Sequence, residues 1–373
     1  MKALRIAQIA PLIESVPPRL YGGTERIVSY LTEELVAMGH DVTLFASGDS
    51  ITSAKLTPIC HLALRLNPAI VDQIPYYMLL LKEVRRRARE FDILHFHIDQ
   101  FHFPLFSGQA ARTLTTLHGR QDLPDLQALY RGFPEMPLVS ISQSQRKPIP
   151  EGNFAGTVLH GIPENLLPAN LHPRGGYLAF LGRVSDEKGV DRAIEIATAV
   201  GMPLKIAAKV DKQDEAYFAR IQPLLQCGGV EFIGEIDERR KAAFLGNARA
   251  LLFPIRWPEP FGVVMIEAMS CGTPVLAFRE GSVPEVIDDG VTGFIVESMP
   301  EAVCKMGALL NLDRGRVRRR FEARFTARRM AQDYVRIYQE RLALKGNASL
   351  GEGARSSSID GLRVDEPSGL VQH

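Results

Sequence analysis

Cysteine is scarce: Cys60, Cys227, Cys271 and Cys304 are spread along 373 residues, with no CxxC pair and no metal-ligand spacing. That scatter argues against a disulfide scaffold and a structural zinc site, and it reads as reduced thiols in a cytoplasmic protein. An excess of one charge is also missing. Lys and Arg number 44 against 43 Asp and Glu, a net charge of +1, so composition demands neither nucleic acid nor an acidic partner. No apolar run approaches the roughly 20 residues of a membrane span. The opening MKALRIAQIAPL is short and broken by Arg5, which makes it a poor signal peptide and a good first strand.

What is present is alternation. LRIAQIA reads as a strand, RLYGG as a loop, and Thr24 to Gly39 as a helix with Thr24 as N-cap and Gly39 as its stop. HDVTLFA is a second strand. An irregular segment then leads to helix YYMLLLKEVRRRAREF and strand DILHFH, with further short apolar runs at TLTTL, PLVSIS and GTVLH. After HPRGG the pattern restarts with YLAFLG, DRAIEIATAVG, PLKIAAK, a helix near Glu215–Gln226, VEFIG, ERRKAAFLGNA, ALLFP, a helix from about Gly262, PVLAF and GFIV. Such order predicts an α/β protein of two doubly wound, parallel-sheet domains, about 1–165 and 170–326, with a hinge in Pro163–Gly176. A long helix over about 327–344 follows the second sheet. From 346 to 373 glycine, serine and charge dominate, and the segment reads as a disordered tail.

Doubly wound domains bind ligands at the carboxyl ends of their strands. Gly22 and Gly23, in YGGTER, let backbone amides approach an anion or a sugar at a helix start; the plainer reading is a tight turn. This loop is neither GxGxxG nor a P-loop, which removes support for nicotinamide or P-loop kinase chemistry. Arg183 and Lys188, in GRVSDEKG, offer a planar fork and a mobile point charge that suit a diphosphate, although such a charged run is often only a solvated loop. His118, in TTLHG, ends a strand and could donate a hydrogen bond to a ligand hydroxyl. His95 and His97, in HFHIDQFH with His102, share a strand face as a metal pair would, but no third ligand accompanies them.

The stretch EPFGVVMIEAMSCGTPVLA is the most demanding. Its helix is apolar on nearly every face, yet Glu267 sits in the middle, where a bare carboxylate would be costly. Aimed at the crevice, Glu267 would accept from both hydroxyls of a ribose. The amides of Phe261, Gly262 and Val263 would face phosphate or sugar oxygens. Glu259 would accept from sugar hydroxyls, and two carboxylates match the general demand of glycosyl chemistry. The structural alternative is a capping Glu259 and a core-bridging Glu267.

EPFGVVMIEAMSCGTPV resembles the E-x7-E signature of family 4 glycosyltransferases, the retaining group with the two-Rossmann GT-B fold. FLGRVSDEKGVDRAIE, GSVPEVIDDGVTGFIV and YGGTERIVSYLTEELVAMGHDVTLFA are similar to that family's diphosphate loop, following segment and amino-terminal opening. The resemblance implies that Arg183 and Lys188 bind the donor diphosphate and Glu267 the ribose. It gives the transferred sugar to Glu259, His118 and the amides of Phe261, Gly262 and Val263, and places Gly22 and Gly23 near the phosphates. It also implies that the base lies against the loop after VEFIG and that the last helix crosses back onto the first domain. The expected reaction moves a hexosyl group from a UDP- or GDP-sugar to an acceptor hydroxyl of a glycan, lipid or small molecule, with retention. No metal or other cofactor is expected, since no acidic DxD motif stands in a donor loop.

Rival readings remain at this level. A non-hydrolysing nucleotide-sugar epimerase would need more carboxylates around the sugar than Glu259. A phosphorylase would need pyridoxal phosphate, with Lys209 as the tempting site. KEVRRRARE and RGRVRRRFEARFTARR are dense in arginine, so a surface-binding protein, or a peripheral membrane contact through 82–89 added to catalysis, is a further alternative. Nucleic acid is not an expected partner.

Overall fold

Short apolar runs that end at glycine or polar turns become parallel strands buried on both faces. The computed structural model describes residues 2–19, 22–226 and 228–356. In the first sheet, β1 is Arg5–Ile9, β2 Asp41–Ser47, β3 Lys55–Cys60, β4 Ile93–Phe96, β5 Thr113–Thr116, β6 Leu138–Ser140 and β7 Phe154–Thr157. They pair in the order β3-β2-β1-β4-β5-β6-β7. In the second, β8 is Leu178–Arg183, β9 Leu204–Lys209, β10 Val230–Gly234, β11 Ala250–Phe253, β12 Val275–Phe278 and β13 Gly293–Val296, in the order β10-β9-β8-β11-β12-β13. The strand order reverses between β1 and β4 and again between β8 and β11. Those two switch points, where loops diverge, open toward one cleft.

Several expectations are corrected. The first helix is Gly23–Ala37, its N-cap is Gly22, and no side chain caps it; Thr24 lies inside the first turn. Gly39, at φ 86°, does stop it. β3 falls in the stretch read as irregular; it is an edge strand, only half-buried, with Pro58 within it, so neither alternation nor an apolar run marks it. The last helix runs Ala327–Ser356, so the segment from 346 begins as helix, while 357–373 lie outside the described residues. Cys227 lies outside them too; Cys60, Cys271 and Cys304 are free thiols.

The last helix is tied down where it leaves the second sheet. Ile162 N–H donates to Phe325 O at 3.0 Å and Ala327 N–H donates to Ile162 O at 2.8 Å. From there it packs against the first helix, with Tyr334 and Tyr338 fully buried.

The basic run after Asp313 serves the fold. In the helix Arg314–Arg324, Arg314 is buried and donates to the carbonyls of Asn170 (2.7 Å), Ala248 (3.0 Å) and Gly246 (2.9 Å) and to Thr273 Oγ1 (2.6 Å). Burial pulls its guanidinium down to about 10. Arg318 donates to Ser270 O and Glu164 O, and Arg324 to Asp288. These arginines collect backbone carbonyls at the back of the Glu267 helix, which explains their density without a nucleic acid or lipid. Removing Arg314 would leave the buried carbonyls of Ala248 and Gly246 bare, so Arg314→Ala should cost about 3 kcal/mol or more in urea unfolding. The exposed Arg316→Ala should stay within about 0.5 kcal/mol.

Candidate functional site

The helix carrying Glu267 spans Val263–Ser270, starting one residue after its sequence pattern does. Gly262 is its N-cap at φ 75°, and a Cβ there would stand 2.9 Å from the Phe253 ring. Only glycine fits both demands. The turn before it is clasped by Gly281 and Ser282. A Cβ on Gly281 would approach Glu259 N to 2.4 Å, Ser282 N–H donates to Glu259 O at 3.0 Å, and Ser282 Oγ donates to Phe261 O at 2.8 Å. The Glu259 backbone is therefore held from behind, while the first-turn amides, which a helix leaves without internal partners, open toward the cleft.

That cleft contains a cavity of about 580 Å³. Gly22, Gly23, His118, Arg183, Lys188, Glu259, Phe261, Gly262 and Val263 all line it. Glu267 lines an adjoining cavity of about 170 Å³, together with Gly22, Gly23 and Val263. All ten residues singled out in the sequence thus meet in one connected region. Lys209 also reaches the smaller cavity, where its ammonium pairs with Asp211 at 2.9 Å.

The charges there are arranged in pairs. Lys188 binds Glu259, and Glu259 Oε2 also accepts from Nε1 of the chain's single tryptophan, Trp257, at 2.9 Å. The Lys188 ammonium stands 4.9 Å from the Trp257 ring centroid, within cation–π range. Arg183 pairs with Glu187 at 3.4 Å and Asp214 at 3.2 Å. Glu267, 5% exposed, pairs with Lys241 at 2.6 Å. Lys241 also touches Glu238, which in turn binds Arg26 of the first helix and so bridges the cleft. Trp257, Asp214, Lys241 and Arg26 carry no recognisable motif, and sequence reasoning missed them.

Opposite the cations lies the wall of the first domain. Glu14, Glu25 and Asp99 line it with Arg65, which pairs with Glu14 at 2.9 Å. Burial raises the carboxyls of Glu14 and Glu25, and pushes Asp99 up to about 6. Tyr77 stacks on the half-exposed Phe101, with ring centroids 5.2 Å apart.

The histidines are hydrogen-bonded to one another and to the last helix. His95 meets Tyr338 OH through Nδ1 and Thr116 Oγ1 through Nε2, each at 2.7 Å. His97 Nε2 meets Gln8 Oε1 at 2.7 Å, and its Nδ1 meets His118 Nε2 at 2.9 Å. Both nitrogens of each are engaged by other side chains, and among the described residues no three metal-binding side chains cluster. Burial lowers His118 to about 3 and holds His95, His97 and His160 well below the usual imidazole range. His160, from the loop after β7, stacks on His118 and was also missed.

Two family models match this chain: "Glycosyltransferase Family 4" over residues 21–143 and "Glycosyl transferases group 1" over 168–323. The chain belongs to the family 4 glycosyltransferases. It is 27% identical over 314 residues to N-acetyl-alpha-D-glucosaminyl L-malate synthase of Bacillus anthracis, covering 74% of this chain and 81% of that one. It is 24% identical over 381 residues to phosphatidyl-myo-inositol mannosyltransferase of Mycobacterium leprae, covering 90% and 96%. Among solved structures, Anabaena HepE in complex with UDP and glucose superposes with a TM-score of 0.69 at 15% identity, over 90% of this chain and all of that one. The fold is accordingly GT-B, and the protein is a glycosyltransferase.

Proposed function

We propose that this glycosyltransferase takes a hexosyl group from a nucleoside-diphosphate sugar and passes it to an acceptor hydroxyl with retention of the anomeric configuration, without a metal ion. The observation that carries the reading is the gathering of Arg183, Lys188, Glu259 and an open helix start on one cavity floor. Diphosphate departure leaves an oxocarbenium-like sugar, so cations placed on the leaving group give the most help. Lys188 and Arg183 supply them, with the amides at Phe261, Gly262 and Val263. The incoming phosphates take Lys188 from Glu259, and Glu259 turns its freed oxygen to sugar hydroxyls. In the smaller cavity, Glu267 accepts from the ribose in place of Lys241, and the base lies against Glu235 and Ile236. His118 contacts the sugar from the first domain. The leaving phosphate takes the acceptor proton, so no side chain is needed as a covalent nucleophile.

The acceptor occupies the wall formed by Glu14, Glu25, Asp99 and Phe101. Carboxylates accept from hydroxyls and an exposed ring stacks on a sugar face, so this side suits a polyhydroxylated ring. An epimerase would find no such second site useful. The names of the relatives point to malate and to phosphatidylinositol as acceptors of those enzymes. A peripheral membrane contact is part of the proposal. No helix among the described residues is long and apolar enough to cross a membrane. Yet Val71, Ile74, Met78 and Leu79 are exposed beside the acceptor wall, followed on the helix Ile74–Arg87 by Lys82, Arg85 and Arg86. Apolar residues beside basic ones suit an interface with anionic lipid. Sedimentation with phosphatidylglycerol vesicles should fall when Ile74 and Met78 are both changed to Ser; no binding by the unchanged protein at low salt would contradict the contact.

Thermal melting with UDP, GDP and ADP, with EDTA and then with magnesium, tests the donor site. A ligand at a hundred times its dissociation constant adds about 2.7 kcal/mol. One nucleotide should raise the midpoint clearly, and equally well in EDTA. Lys188→Ala should remove most of that shift and lower turnover about 100-fold or more. No shift with any nucleotide would overturn the reading.

A further inference from the structure

Between the last helix and the cleft runs an unbroken line of hydrogen bonds that the transfer reaction as described does not use. Tyr338, Gln8, His95 and His97 are all buried, with at most 2% exposure. Tyr338 is on the last helix, Gln8 on β1, His95 on β4 and His97 directly after it, and beyond His97 the line ends on His118 at the cavity.

The protons along it can be followed. The Gln8 amide nitrogen, which can only donate, stands 3.4 Å from His95 Nδ1, so that nitrogen is taken as bare; Tyr338 OH then donates to it at 2.7 Å and His95 Nε2–H donates to Thr116 Oγ1 at 2.7 Å. Only lone pairs of Tyr338 remain for Gln8, whose Nε2 donates to them at 3.2 Å. This turns Gln8 Oε1 toward His97, so His97 Nε2–H donates to it at 2.7 Å. The reverse run would put the amide nitrogen of Gln8 against His97 Nε2 at that distance, at the short limit even for N–H···O. His97 Nδ1 is therefore bare and accepts from His118 Nε2–H at 2.9 Å. The other nitrogen of His118, Nδ1, makes no hydrogen bond with any described residue and carries a lone pair at the cavity.

We propose that Tyr338, Gln8 and His97 are positioning residues that hold His118 in its Nε2–H tautomer, so that its Nδ1 accepts a hydrogen bond from a hydroxyl of the transferred sugar. The inference rests on the donor reading above and deepens it. It reverses the donor role that the sequence suggests for His118. It also selects a substrate class: a hexose with a free hydroxyl opposite Nδ1 is bound, whereas a carboxylate there would set lone pair against lone pair. The depressed imidazoles support it, because a neutral line keeps its direction across the working pH range. The arrangement also gives the crossing helix a role in the site, since Tyr338 lies 220 positions after His118 in the chain yet acts on it through two intermediates.

The test is nitrogen NMR of full-length protein labelled at the histidine ring nitrogens, with His118 assigned by its loss in His118→Asn. The expected result is a neutral His118 protonated at Nε2 alone between about pH 6 and 9. In folded Tyr338→Phe, or in Gln8→Met if the former is unstable, the two tautomers should mix. Wild-type His118 carrying its proton on Nδ1, or titrating near its ordinary value, would overturn the proposal, as would an unchanged tautomer in the folded variant. A second readout uses whichever of UDP, GDP or ADP binds, and its glucose conjugate. Tyr338→Phe should leave affinity for the free nucleotide unchanged while weakening the conjugate several-fold; equal loss of both would indicate a merely structural role. Failure of every nucleotide to bind would overturn the donor reading, whereas the tautomer measurement judges the hydrogen-bond line independently.

Discussion

Lys188 and Glu259 face each other across the floor of the cleft, with side chains 20% and 12% exposed. Neither charge would be tolerated so far from water without the other, because an unpaired buried ion costs several kcal/mol. The same holds for Lys241 with Glu267, at 12% and 6%. Pairing keeps the floor charged and ordered in the absence of ligand. It also sets what a ligand must do: bring anions for the cations and hydroxyls for the carboxylates at the same moment. A nucleoside-diphosphate sugar carries both, in the order ribose, diphosphate and hexose. A simple phosphate would satisfy the lysines and leave two carboxylates bare.

The rest of the molecule holds that floor still. Gly281 and Ser282 clasp the Glu259 turn, and Arg314 collects carbonyls behind the Glu267 helix. From the other domain, Ser142 Oγ donates to Pro260 O at 2.6 Å, while Glu285 accepts from the amides of Gln143 and Ser144. The cleft is thus braced at its back and bridged at its rim by Arg26 with Glu238 and by Arg120 with Glu187. The bridges at the rim are charge pairs, not packed apolar surface, and such contacts suit parts that must open and close around a substrate.

The alternation of strand and helix was legible because each run obeys one period and ends at a glycine or a polar turn. The edge strand β3 was not, since half-burial removes the signal. Within the site, residues with a local signature were found: glycines before helices, two cations after a strand, two carboxylates eight positions apart. Their partners were hidden. Asp214 lies 31 residues from Arg183, Lys241 lies 26 from Glu267, and Tyr338 lies 330 from Gln8. Nothing in a linear pattern connects such pairs, because it is the pairing of sheets that sets them side by side. Thr24 shows the opposite error: a good capping residue one step from the cap, displaced by a glycine whose backbone suits the turn better.

The most direct measurement is diffraction from crystals of the protein with a nucleoside-diphosphate hexose. The account predicts diphosphate oxygens on Lys188 and Arg183, ribose hydroxyls on Glu267, and Glu259 parted from Lys188 and turned to the hexose. A bound nucleotide that leaves the Lys188–Glu259 pair intact, with its phosphates elsewhere, would contradict it.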